Sequence, residues 1–541
     1  MTNTTLCRIV AVLPLLSIAA CAGEQPGTKP AADAGATYRE PFRPQFHFTP
    51  AVNWMNDPNG LVYFDGEYHL FFQYNPFGAK WGHMSWGHAV SRDLVRWEHL
   101  PVAIPEAGGV MAFSGSAVVD WNNTSGFGRD GTSPLVAIYT GHRETNQSQY
   151  LAYSNDRGRT WTVYEGNPVL DIGRKDFRDP KVFWHQPQQQ WVMALALPDE
   201  HKVRFYGSRD LKGWRHLSDF GPAAAVGGIW ECPDLFELPV DGDPKTTRWV
   251  LIVSLNPGGP AGGSGMQYFV GQFDGSRFVA ESPASGVADA GMPVDQVLWA
   301  DYGADYYAAV SFSDVPREDG RRLWLGWMNN WDYAQDIPTG PWRSAQSLPR
   351  SLALRTTSQG IRLVQEPVAE VKTLRGARHT VAPQPIGDGA VSLAAQGIAG
   401  TALEIVAEFE VGTAAELGMK VRAGGPEETM IGIDPRAGRL FVDRTRSGQV
   451  RFHPEFSRRH TAPLRVKDGR VTLHVFVDWS SVEVFAADGE VVLTDQIFPS
   501  PASDGVALYA RGGTARLVSL EAWPLASIWP LASERQGRSN R

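Results

Sequence analysis

A chain of 541 residues is longer than one compact core can serve, so at least two domains are expected. Aromatic residues make up 11% of it, 19 of them tryptophan, and together with 56 glycines and 38 prolines this favours many short strands joined by tight turns. A net charge of −8, with no basic block anywhere along the chain, excludes nucleic acid as a partner.

Residues 1–21 stand apart from the rest. Arg8 precedes the apolar run Ile9 to Ala20, which is too short to span a bilayer and predicts an export signal. The run closes on Leu16-Ser17-Ile18-Ala19-Ala20-Cys21, which resembles a bacterial lipobox. Cys21 is therefore expected to become the lipidated first residue of an exported, membrane-anchored lipoprotein that meets the membrane only through that lipid. An ordinary signal peptide containing a chance cysteine, and hence a secreted protein, is the alternative. Residues 22–37, rich in Ala, Gly and Pro, predict a flexible tether. Signal removal and lipidation leave Cys232 alone, so no intramolecular disulfide is expected.

The first regular element is a hairpin, Leu61 to Phe64 and Glu67 to Tyr74 about the turn Asp65-Gly66. Short strands around Trp86 and Trp97 follow, giving four in sequence. Ser114 to Trp121, Pro134 to Thr140, Gln149 to Ser154 and Trp161 to Glu165 make a second set of four. Residues 179–220 and 231–278 make a third and a fourth, and 301–354 a less regular fifth. The tag Ser91-Arg92-Asp93 with Trp97 recurs as Ser154-Asn155-Asp156 with Trp161 and as Ser208-Arg209-Asp210 with Trp214, at spacings of 63 and 54 residues, which suits a four-stranded repeating unit. Residues 38–356 therefore predict a five-bladed β-propeller. Residues 357–375 are expected to be a linker. Alternating strands such as Val471 to Val477 and Ser481 to Phe485 predict a β-sandwich over 376–527, and 528–541 a polar, frayed tail. The expected fold class is all-β.

Three acidic motifs ending in proline, Asn56-Asp57-Pro58, Arg178-Asp179-Pro180 and Glu231-Cys232-Pro233, each sit just ahead of a predicted strand. A single Asp-Pro-Asn-Gly segment reads as a turn. Three carboxylates at the starts of equivalent innermost strands converge on one axis instead, and together with Ser114 and the Asp301 to Asp305 region they are expected to ring one funnel. Hydrolysing a glycoside with retention needs two carboxyl groups about 5 Å apart, one as nucleophile and one as proton donor, and Asp57 and Glu231 are the candidates. His83, His88 and His142 lack a metal-ligand spacing, and no metal site is expected.

Trp54-Met55-Asn56-Asp57-Pro58-Asn59-Gly60, Phe72-Gln73-Tyr74-Asn75-Pro76, Phe113-Ser114-Gly115-Ser116, Phe177-Arg178-Asp179-Pro180 and Glu231-Cys232-Pro233-Asp234 resemble the signature blocks of glycoside hydrolase family 32, which holds invertases, inulinases and levanases. Phe476 to Phe485 is similar to that family's sandwich signature. The resemblance implies Asp57 as nucleophile, Glu231 as acid/base and Asp179 as the group that holds fructose hydroxyls and stabilises the transition state. It also implies a fructose subsite of Asn56, Gln73, Trp81, Phe113, Ser114 and Arg178, with Trp331 as a candidate for the next sugar, and a chemistry that needs no cofactor. Cys232 is expected only to pack beside Glu231. The implied activity is exo-acting release of fructose from levan, inulin or sucrose. A sucrose-preferring invertase, a fructosyltransferase and, from a different class, a non-catalytic glycan-binding lipoprotein are the alternatives.

Overall fold

In the computed structural model the described residues are Met1, 37–281 and 292–529; the export signal, Cys21 and nearly all of the tether expected from the sequence lie outside them. The first blade runs Asn53–Phe64, Glu67–Asn75, Ser85–Ser91 and Trp97–Ile104. The second runs Met111–Val119, Leu135–Arg143, Asn146–Ser154 and Thr162–Val163, with Leu170–Arg174 sharing the same edge. Arg178–His185, Gln190–Leu197, Lys202–Ser208 and Arg215–Phe220 form the third blade, and Ile229–Val240, Asp243–Asn256, Gly265–Phe273 and Phe278–Ala280 the fourth. The innermost strands contact one another in order, and Tyr307–Ser311 of the fifth blade closes the ring against Asn53–Phe64.

The fifth blade is irregular because the chain leaves it midway. After Arg322–Met328 it crosses to the first blade, where Trp342–Arg343 adds in parallel to Asn53 and Trp54, and then returns as Arg350–Thr357 and Gly360–Pro367. The expected linker 357–375 is therefore corrected: Gly360–Pro367 is the outermost strand of the fifth blade, paired along its whole length with Arg350–Thr357. Leu363, Val364 and Gln365 are buried in a row between exposed or half-buried flanks, so no two-residue alternation marks this strand in the sequence, and Ser358-Gln359 supplies its hairpin turn.

The recurring Ser-x-Asp tag is a turn stabilised by its own aspartate. Asp93 accepts from the backbone of Val95 and Arg96, Asp156 from Thr160, and Asp210 from Lys212 and Gly213. Each such turn hands the third strand of a blade to the outer edge, which is why the tag marks the repeat.

Residues 379–524 form two facing antiparallel sheets around a core of Val, Ile and Leu. Buried ion pairs tie this sandwich to the propeller. Arg350, fully buried, reaches Asp301 (3.1 Å) and Glu483 (2.6 Å), and Arg444 reaches Asp305. The Asp301 to Asp305 region therefore serves the domain interface and not the funnel, a second correction. The start of the expected frayed tail is also ordered: Trp529 is buried, stacks on Tyr38 at 4.2 Å and donates to the Pro44 carbonyl (2.7 Å).

Candidate active site

All five innermost strands are interrupted at the same level. Between Met55 and Pro58, Ala112 and Gly115, Arg178 and Lys181, Glu231 and Asp234, and Tyr307 and Val310, the inner strand advances three residues against two on its partner. Each is a β-bulge, which leaves residues outside the ladder and turns them toward the axis. The acidic motifs thus lie within the strands, at the bulges, and not ahead of them. In the last three blades the first bulged residue has a left-handed backbone, with φ of 66° at Asp179, 47° at Cys232 and 52° at Ala308. Pro180 and Pro233 fit there because a bulged residue owes no N–H to the ladder.

The bulges bring the three carboxylates into one hydrogen-bonded cluster. Asp57 is buried; Ser114 Oγ donates to its Oδ2 at 2.6 Å and Asn56 Nδ2 to its Oδ1 at 3.0 Å. Asn56 is itself oriented by the indole N–H of Trp54 (2.7 Å). The Cys232 thiol lies 3.5 Å from Asp57 Oδ2 and 3.6 Å from Asp179 Oδ2, so it links two carboxylates instead of merely packing. Asp179 also accepts from the Cys232 backbone N–H (3.0 Å). Around the next level, Arg178 Nε and Nη2 approach Glu231 Oε1 at 3.0 and 2.9 Å, and the Tyr307 hydroxyl donates to Glu231 Oε2 at 2.7 Å. Arg178, Glu231 and Tyr307 occupy the same position, immediately before the bulge, in three successive blades.

Burial sets the electrostatics. It pushes Asp57 above the usual carboxylate range, partly offset by the Ser114 and Asn56 hydrogen bonds, and the Glu231 charge adds to the rise. Burial likewise raises Asp179, against the pull of Arg178 and with the help of Glu231 and Asp57, to about 7. Cys232 is driven well up by burial and by the charges of Asp179 and Asp57, so it stays a thiol and a donor, which disqualifies it as a nucleophile. Burial and the neighbouring Glu231 charge raise Tyr307 strongly, so its proton remains available to Glu231.

The remaining expected residues surround this cluster. Gln73 is buried and donates to the Ala112 carbonyl (3.0 Å). Trp81 is 39% exposed and meets Phe113 edge-on at 6.0 Å, while Phe113 stacks face to face on His142 at 4.2 Å. Trp331 stacks on Trp54 at 5.9 Å. Four participants escaped the sequence reading: Tyr307, the thiol of Cys232, Thr140, whose hydroxyl accepts the Asp179 N–H (3.0 Å), and Gln147, which accepts from Arg178 (3.2 Å). Tyr307 was findable only by aligning blades, because the fifth blade carries Ala308-Ala309 where the first, third and fourth carry an acidic, proline-bearing motif.

A propeller whose bulges gather three carboxylates, an arginine and a tyrosine at one mouth is a carbohydrate-cleaving architecture of the two-carboxylate kind. Residues 47–367 match the Glycosyl hydrolases family 32 N-terminal domain and 370–524 the Glycosyl hydrolases family 32 C terminal. The chain is 54% identical over 497 residues to a levanase of Bacillus subtilis (strain 168), covering 91% of this chain and 72% of that one. Among solved structures, exo-inulinase from Aspergillus awamori superposes with a TM-score of 0.85 at 42% identity, covering 91% of this chain and 100% of the other. A fructofuranosidase from Schwanniomyces occidentalis complexed with fructose gives 0.80 at 33% identity, with 91% and 100% covered. The chain belongs to glycosyl hydrolase family 32.

Proposed function

We propose that the protein is a retaining, exo-acting β-fructofuranosidase that releases fructose from levan, inulin or sucrose by double displacement. The observation that carries this reading is the division of labour among the carboxylates. Asp57 is aimed by the Ser114 and Asn56 hydrogen bonds, touches no cation among the described residues, and sits where burial makes its anion costly, which favours attack on a carbon that is gaining positive charge. Glu231 is held on both oxygens, by Arg178 and by Tyr307, as suits a group that delivers a proton to the leaving oxygen and then takes one from water. Asp179, between them and fixed by backbone N–H donation, is placed to accept sugar hydroxyls. Tyr307 acts as a positioning residue for Glu231.

Attack at the chain end follows from the buried polar wall. Asn56, Gln73, Ser114, Arg178 and Asp179 are all buried at the floor, while Trp81 lies at the rim. A polymer threaded through would leave part of that wall facing chain atoms without partners, which costs about 1–3 kcal/mol per group. Trp81 and Phe113 offer apolar faces to the terminal ring, and Trp331 to the sugar behind it. The similarity to a levanase and to an exo-inulinase favours polymeric fructans as substrates. Export and anchoring through Cys21 complete the reading, placing the enzyme where such polymers are met.

Product analysis tests both parts. Early digests of levan and inulin are expected to contain fructose and almost no short oligomers, and Asp57→Asn and Glu231→Gln are each expected to lower turnover on the order of 10³-fold or more. A ladder of oligosaccharides at low conversion overturns the exo assignment, and near-parent activity in either variant overturns the residue roles.

A further inference from the structure

The inner strands continue beyond the carboxylates. At about 3.3 Å per residue, the step from Asp179 to Phe183 or from Glu231 to Phe236 carries the chain about 13–17 Å farther along the axis. The space directly beneath the cluster nearly vanishes: a gap of about 10 Å³ is lined by Pro58, Pro180, Pro233 and Cys232. Beyond it, at the opposite mouth, a cavity of about 750 Å³ opens. Of the residues lining that gap only Lys181 also lines the cavity, and neither Asp57 nor Glu231 is part of the cavity wall.

The second compartment has an aromatic rim and a polar floor. Trp121 is 59% exposed, and its ring is fixed by an indole N–H donated to Asp314 (2.9 Å). Trp184, half-buried, is fixed in the same way by Gln186 (2.9 Å), and Phe183 packs on Trp249 at 5.6 Å. The charges lining the cavity balance: Lys181, Arg317 and Arg322 face Asp120, Glu237 and Asp314. An anion or a cation gains nothing net from such a lining and still loses its hydration. A neutral polyol gains from both signs, since each hydroxyl donates and accepts. Arg322 has donors to offer: its one described hydrogen bond runs from Nη1 to the Phe312 carbonyl (3.2 Å). Fixed indoles, meanwhile, suit the C–H faces of sugar rings. The volume lies in the range of ligand sites and exceeds what a single monosaccharide fills.

We infer that this opposite mouth is a second saccharide-binding site, which holds a stretch of fructan without cutting it. The choice of fructan rests on the function proposed above. Asp314 is spent on the Val119 N–H and the Trp121 indole and Asp120 on Thr124 and Ser125, while Glu237, bonded by Thr247 on one oxygen, keeps the other for a sugar hydroxyl; one such carboxylate makes no nucleophile and acid pair, so the site binds and does not hydrolyse. Two sites on one molecule raise its hold on a polymer by effective concentration, with no effect on a disaccharide.

The test pairs Trp121→Ala with Trp184→Ala. In the active enzyme, sucrose kcat and KM are expected to stay within twofold of the parent, which also shows that the double variant folds, while KM for levan or inulin rises about three- to tenfold at unchanged kcat. In an Asp57→Asn background, electrophoresis through levan or inulin gels is expected to show retardation that falls at least threefold on adding the two alanines and returns with Trp121→Phe and Trp184→Phe. Equal retardation with and without the alanines overturns the inference. Retardation by starch but by neither fructan overturns the choice of ligand. A parent that hydrolyses neither fructans nor sucrose would instead show that the proposed activity is wrong, a failure visible without either tryptophan variant.

Discussion

Ser114 and Asp179 show how single residues adjust the cluster. The Ser114 hydroxyl donates to Asp57 at 2.6 Å and holds down a carboxyl that burial raises. Ser114→Ala should therefore move the acid limb of the kcat/KM profile to higher pH and lower kcat/KM by about 10- to 100-fold, the worth of one hydrogen bond to a charged group. A pH-rate profile on sucrose checks this, and an unmoved limb would break the link. Asp179 carries a cost for folding. Its pKa of about 7 in the folded protein exceeds that of an unfolded aspartate, so the folded state binds the extra proton and stability falls as pH rises from about 4 through 7. Asp179→Asn should raise the melting temperature at pH 8 and lose that advantage near pH 4, while activity drops; equal gains at both pH values would rule out the ionisation of Asp179 as the cause. The acidic motifs were legible as residues because three of them recur with proline. Tyr307 and the Cys232 thiol were not, since an isolated Tyr or Cys has no pattern until a fold supplies its neighbours.

At the level of elements, the segment preceding the first blade is fixed to the sandwich through His47. Its Nδ1 lies 2.8 Å from Asp478 and its Nε2 2.9 Å from Glu483, and Asp478 also accepts the Gln45 and Phe46 backbone N–H groups. Burial acts downward on the imidazolium, yet the hydrogen bonds and charges of the two carboxylates outweigh it and raise His47 to about 9. A raised cation contributes fully below the unfolded value of about 6.5 and is lost as pH climbs through 9. His47→Gln should therefore cost most at pH 6 and little at pH 10, readable as converging melting curves of variant and parent. The sandwich motif around Asp478 and Glu483 was visible in the sequence, but its work as a clamp on a segment more than 400 residues away was not. The same holds for the fifth blade. Its last strand buries Leu363, Val364 and Gln365 in succession without alternation, and the chain detours through the first blade between its second and third strands, so the segment has the look of a linker in sequence.

For the whole molecule, the propeller and sandwich act as one body through buried charges, and Arg350 is the centre of that joint. It bonds Asp301, Gln365, Glu483 and Thr494 with no exposure to solvent. Arg350→Met removes the cation that Asp301 and Glu483 share, leaving Asp301 with neutral donors and Glu483 with His47, and should cost about 3–5 kcal/mol. Calorimetry should show a marked fall in melting temperature; retention of the parent value would mean that the joint contributes little. Anchoring belongs to this scale as well: a Cys21→Ser variant should leave the membrane fraction for the soluble one, and full retention would refute the lipid anchor. By itself the sequence determined the all-β class, the repeat and the three carboxylates, because period, turn chemistry and short motifs are local and survive in one dimension; most of their polar neighbours came from the resemblance to a known family. Only the tertiary structure decided that five bulges share one level, that Tyr307 and Cys232 join the cluster, that Asp301 and Asp305 serve the domain joint, and that a second cavity lies beyond the first. Those facts depend on which strand stands beside which around a closed ring, and closure is a property of the whole chain that no local stretch encodes.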